Sequence, residues 1–86
     1  MILNLYSVFD IKAGAYIPPF YMQNDGMARR AFADSANDPN HQFCRNAEDY
    51  TLFRLGQFDD QSGRITMEDT NVNLGVAVEY LVKGGE

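Results

Sequence analysis

The chain has 86 residues, 45% of them hydrophobic, with 12 acidic and 7 basic side chains and a formal net charge of −5. A chain of this length is one domain with a modest core, because it buries only about 60–65% of the surface that its unfolded form exposes. The apolar share excludes a wholly disordered chain, and the acidic balance argues against bulk phosphate binding, which runs on clustered Lys and Arg, while leaving room for a local basic face.

Residues 2–9, ILNLYSVF, predict a short strand. Both parities are apolar, with Ile2, Tyr6 and Val8 on one and Leu3, Leu5 and Phe9 on the other. That pattern suits a central strand. Asp10 to Gly14 reads as a turn. Residues 13–23, AGAYIPPFYMQ, follow with three aromatics, two adjacent prolines and no charge. Pro18 and Pro19 fix φ, delete two donors and push their predecessors toward extended geometry. Residues 15–21 are therefore expected to run extended, at most as an edge strand.

Asn24 and Asp25 offer a helix N-cap, and Gly26 to about Ala36 has helical periodicity. Met27, Ala28, Ala31, Phe32 and Ser35 form one face. Asn37-Asp38-Pro39 stops the helix, and residues 37–49 read as a loop. A second strand is expected over Tyr50–Phe58. DDQSG then makes a hairpin turn with Gly63 at positive φ, and RITM is a third strand. After a linker at Glu68–Asn71, the alternation in VNLGVAVEY predicts a fourth strand, and residues 82–86 a frayed tail. The sum is an α+β domain over 1–86, β-α-β-β-β, with an antiparallel-rich sheet of about four strands and one helix packed on it.

Little in this order carries catalytic chemistry. His41 and Cys44 are an H-x-x-C pair without a second pair to complete a zinc site. Asp59-Asp60 and Glu68-Asp69 read as solvated turn residues rather than a magnesium site. Phosphate-binding glycine motifs are absent from the sequence. The expectation is a protein without enzymatic activity, cofactor or metal. Its single cysteine excludes an intramolecular disulfide. MILNLYSVFD lacks the cationic start of a signal peptide, and no window approaches the roughly 18 apolar residues of a membrane helix. A cytosolic protein with no membrane contact is expected.

Arginines beside aromatics form the candidate binding site. Rings stack on bases at about 1–3 kcal/mol each and guanidinium groups take phosphates. Tyr16, Tyr21, Arg29, Arg30, Arg54 and Arg64 are the candidates for contact with single-stranded DNA. Tyr16, Phe20 and Tyr21 are the candidates for docking a protein partner, and an edge strand offers a route to a homodimer. On residues alone, tyrosines that cover the core and arginines that pair with nearby carboxylates are the simpler reading.

The blocks LYSVFDIKAGAYIPPF, ARRAFADSANDPNHQF, EDYTLFRLGQFDDQSG and LGVAVEYL, in this order over roughly residues 3–81, resemble the small nonstructural protein of gokushoviruses. These are single-stranded DNA phages of the Microviridae. The resemblance implies a role in viral DNA synthesis in the host cytoplasm, in late single-stranded genome production or its coupling to packaging. It implies phage replication or packaging proteins as partners. It carries over no catalytic residues. Two functions follow as expectations: an accessory of viral DNA synthesis that binds single-stranded DNA, or an interaction module that docks on the initiator, a host replication factor or the procapsid without touching DNA.

Overall fold

The computed structural model describes residues 1–82. Its centre is a five-stranded antiparallel sheet with one main helix on one face. The strands are β1 (Ile2–Asp10), β2 (Ala15–Tyr16), β3 (Phe20–Met22), β4 (Tyr50–Asp59) and β5 (Arg64–Val76), and the helix is α1 (Asp25–Ala36). β1 is central, as its two apolar parities predict. It pairs with β4 on one side and with both β2 and β3 on the other.

β2 and β3 are two pieces of one edge strand, interrupted where Pro18 and Pro19 remove their donors. The interruption is stitched to β1 twice. Ile17 donates its backbone N–H to Val8 (2.9 Å), and the buried hydroxyl of Ser7 donates to the Ile17 carbonyl (2.7 Å). β5 forms the opposite edge.

α1 starts where the sequence places it. Asn24 Oδ1 accepts from the Met27 N–H at 2.9 Å, which satisfies one orphan donor of the first turn. Ala28, Phe32 and Ala36 are the buried stripe, whereas Met27 is 45% exposed and leaves the predicted face. Asn37 closes the helix. Its Nδ2 donates to the carbonyls of Ala33 and Tyr80, and its Oδ1 accepts from the Val82 N–H. Val82 is thus tied down at the point where the frayed tail was expected to begin. The rest of that expectation lies outside the described residues.

Two stretches differ from the sequence reading. Residues 37–49, expected as a loop, contain a short helix α2 (Gln42–Arg45) and a 3-10 turn at Ala47–Asp49. The reason is Phe43. It is buried against Phe32 and Tyr50, with ring centroids 5.5 and 4.7 Å away, and it holds the segment on the core. The predicted third and fourth strands are one strand, β5, and it ends at Val76. Ala77–Tyr80 is a 3-10 turn with Ala77 buried and Val78 exposed, so the period-two pattern of VNLGVAVEY outlasts the strand itself. The expected linker survives as an irregularity. Arg54 faces Val72 while Gly56 faces Met67, so Glu68–Asn71 bulge opposite Leu55 alone.

The core lies between the sheet and α1. Tyr6, Val8 and Leu52 are almost wholly buried in it, and Ile17, Phe20, Met22, Val72 and Tyr80 pack around them. The β4–β5 hairpin runs past this core. Asp60–Met67 are all exposed, and the turn is closed by Gly63 at φ 72°, whose N–H bonds the Asp59 carbonyl. The molecule measures 47 × 27 × 20 Å.

Candidate interaction face and the arginine network

Residues directly opposite in an antiparallel pair point to the same side of the sheet. The register therefore sorts every strand residue onto one of two faces. Tyr6, Val8, Leu52 and Tyr50 face α1. Leu3, Leu5, Ser7 and Phe9 on β1 face away, with Phe58, Gly56, Phe53 and Thr51 opposite them on β4. Tyr21 joins this second face opposite Leu5, Tyr16 opposite Phe9, and Ile65 and Met67 opposite Phe58 and Gly56. Among the described residues no helix packs on this side, and none of these positions carries Asp, Glu, Lys or Arg.

The open face has two halves. At one end Tyr16 lies over its neighbours, 4.9 Å from Phe9 and 5.7 Å from Phe53 between ring centroids, and its hydroxyl accepts from Asn71 Nδ2 at 3.1 Å. Phe9 and Phe53 are half-buried beneath it, while Tyr16 itself is 44% exposed. At the other end Tyr21 packs on Phe58 at 5.5 Å, and Tyr21, Ile65 and Met67 are 44%, 51% and 54% exposed. Leu5 beneath them is buried, yet it stands apart from the main core cluster.

The six residues predicted to hold DNA do not converge. Tyr16 and Tyr21 are on the open face. Arg29 and Arg30 are exposed on α1, which packs on the other side. Arg54 and Arg64 share a parity, as expected, but it is the helix-side parity: Arg54 lies opposite Tyr6, and Arg64 opposite Asp59, itself opposite Ile2. Arg64 is at the exposed end of the hairpin. The predicted docking trio is split as well. Phe20 stacks on Tyr6 at 5.8 Å and packs against the core, so only Tyr16 and Tyr21 face away from it.

Arg54 is engaged by two carboxylates. Its Nη1 donates to Asp25 Oδ2, and its Nε donates to Glu68 Oε2 at 3.0 Å. Asp25 also accepts from the Tyr6 hydroxyl at 2.7 Å, and Asn4 Nδ2 donates to that same hydroxyl at 3.0 Å. Burial, then the bond to Asp25, pushes the Tyr6 phenol up to about 12. Asp25, offered with Asn24 as the N-cap by the sequence, instead spends its side chain clamping the start of α1 to the sheet. Arg54 is the hub of that clamp. The carboxylates beside it leave no net positive charge for a phosphate.

His41 and Cys44 have local roles. His41 Nδ1 caps α2 by accepting from the Phe43 N–H at 3.0 Å, and its ring lies 4.4 Å from that of Phe43. Cys44 is a half-buried free thiol. Among the described residues no helix is long and apolar enough to cross a membrane.

Sequence reasoning found Tyr16 and Tyr21 but missed Leu3, Phe53, Phe58, Ile65 and Met67 as members of one surface. The signal for Ile65 and Met67 was present in the alternation of RITM. The family model described as Phage ORF5 protein matches residues 3–80. No curated protein and no solved structure matches the chain.

Proposed function

Since the chain belongs to the Phage ORF5 protein family, we propose that this phage protein is a nonstructural accessory of viral DNA synthesis that works as a protein-interaction module without catalysis of its own. The resemblance to the gokushovirus nonstructural protein supports the DNA-synthesis setting, in late genome production or its coupling to packaging in the host cytoplasm. One observation carries the docking reading. The open sheet face is apolar and aromatic, and its ladder positions hold no cation. The largest contiguous apolar patch on a monomer is often a functional surface, whereas nucleic-acid surfaces need Lys or Arg at the site itself.

The experiment is co-purification of the tagged chain with the phage initiator and with procapsids, for the parent and for the Tyr21→Ser/Met67→Ser variant. Both side chains are about half exposed, so the fold is retained. The parent is expected to retain a partner that the variant loses. Equal retention by a folded variant would remove this face from the function.

A second reading, direct contact with single-stranded DNA, draws on the ring series Phe9, Tyr16 and Phe53, because rings accept bases of any sequence. Fluorescence anisotropy of labelled oligonucleotides at low and high salt decides it. Direct binding loses affinity with a slope of about −0.7 per phosphate contacted in a log–log plot against salt. The docking reading expects no binding even at low salt.

A further inference from the structure

We propose that the open sheet face is covered by a second copy of this chain, so that the working unit is a two-fold dimer with its sheets stacked face to face. This rests on the reading of that face as a docking surface and names its occupant.

Charge is the first argument. The chain has a net charge of −5, so two copies repel in most orientations. The open face is where that repulsion is least, because its ladder positions on all five strands lack acidic and basic side chains. A strongly charged partner such as DNA, or a charged protein patch, finds no complement there.

The second argument is register. Tyr21, Leu5, Gly56 and Met67 form one row straight across the sheet, since Tyr21 faces Leu5, Leu5 faces Gly56 and Gly56 faces Met67. The exposed tyrosine is at one end of the row and the exposed methionine at the other. A two-fold axis between the sheets, parallel to the strands, reverses the row left to right. It sets Met67 of one protomer on Tyr21 of the partner subunit, and does so twice. Thioether sulfur against an aromatic edge is a favourable contact, and stacked sheets sit about 10 Å apart with their strands nearly aligned, which leaves space for such side chains.

Size is the third. Tyr21, Ile65 and Met67 each leave on the order of 100 Å² in water, taking roughly 200 Å² for a large side chain. With Tyr16, 44% exposed on the same face, and the half-buried Leu3, Phe9, Phe53 and Phe58, two such patches together reach about 1,000 Å², the level at which specific interfaces begin.

Sedimentation equilibrium and light scattering on the full chain from 1 to 100 µM test this. The expected mass is twice 9.7 kDa. Met67→Lys and Tyr21→Glu are each expected to weaken dimerisation at least tenfold with unchanged circular dichroism. The Met67→Lys/Tyr21→Glu double variant is expected to recover it, because the lysine of one protomer then meets the glutamate of the other. A monomer at 100 µM overturns the proposal. So does a dimer that withstands Tyr21→Glu, which would be the mark of edge pairing through β5. A monomeric parent whose co-purification with initiator or procapsid is still lost in Tyr21→Ser/Met67→Ser would remove the second copy and leave the docking reading standing.

Discussion

Replacing Arg54 with Met keeps the length of the side chain and removes its charge. Asp25 then loses the cation that spans helix and sheet, and Glu68 loses its only bonded partner among the described residues. A hydrogen bond to a charged group contributes about 1.5–3 kcal/mol when it is desolvated. Here the three side chains are 25–31% exposed, so solvent screens part of that. The expected loss is about 2–3 kcal/mol for the two bonds together. In a domain of this size each kcal/mol moves the melting midpoint by about 4–8 °C, so a fall of about 10–20 °C is expected in a thermal melt followed by circular dichroism. A double-mutant cycle with Asp25→Asn separates the ion pair from packing. The coupling energy is expected at about 1–2 kcal/mol and should shrink in 1 M salt. An Arg54→Met protein within 0.5 kcal/mol of the parent, or strict additivity with Asp25→Asn, would refute the clamp and return Arg54 to the list of free cations.

Gly56→Ala is expected to be the most damaging small substitution in the sheet. A Cβ at this site would fall 2.3 Å from the Thr66 carbonyl oxygen and 2.9 Å from Met67 Cα, which are backbone atoms, so β4 and β5 must separate locally. A loss of about 3 kcal/mol or more is expected in urea unfolding; a loss below 1 kcal/mol would mean that the strands do not approach as described. Asn24→Ala removes the helix cap and should cost about 1 kcal/mol in the same assay, while Asn24→Asp should be nearly silent. The Tyr6 phenol titrates near 12 in the folded protein against about 10 when unfolded. The folded state therefore holds a proton that the unfolded state has released, and stability should fall as pH rises from about 10 to 12, by about 2–3 kcal/mol. Tyr6→Phe should be less stable at neutral pH and lack that alkaline step, as read by unfolding midpoints at pH 8, 10 and 11.

Much of the fold is legible in the sequence because the strongest signals are local. Asn24 announces the helix, Asn37-Asp38-Pro39 ends it, DDQSG turns the hairpin, and the prolines demote residues 15–21 to an edge. What escapes is what depends on register. Leu55 and Glu68–Asn71 insert unequal numbers of residues into paired strands, so counting parity along YTLFRLGQF does not reveal that Phe53 and Phe58 share a face. RITM alternates cleanly, but its apolar residues point away from the helix. Period two alone does not say which side of a sheet has the core. Phe43 was hidden for another reason: its anchoring contacts with Phe32 and Tyr50 join two other elements, α1 and β4, at spacings of 11 and 7 residues, so no period within a single element reveals them. The candidate site was half legible. The tyrosines were found from composition, whereas the carboxylates that claim Arg54 are 29 and 14 positions away from it.

The two borders of the sheet differ in valence. Along β2 and β3 the backbone is broken into segments of two and three residues by prolines that have no hydrogen to give. Along β5 thirteen residues run without a proline, and the margin is interrupted only by bulges such as that at Glu68–Asn71. Growth of a cross-β fibre needs each unit to accept a strand on both sides. This protein accepts on one. Whatever adds to β5 meets a terminator on the far border, so strand addition ends at a pair and does not propagate. This phage protein is thereby guarded against its own sheet by two adjacent prolines.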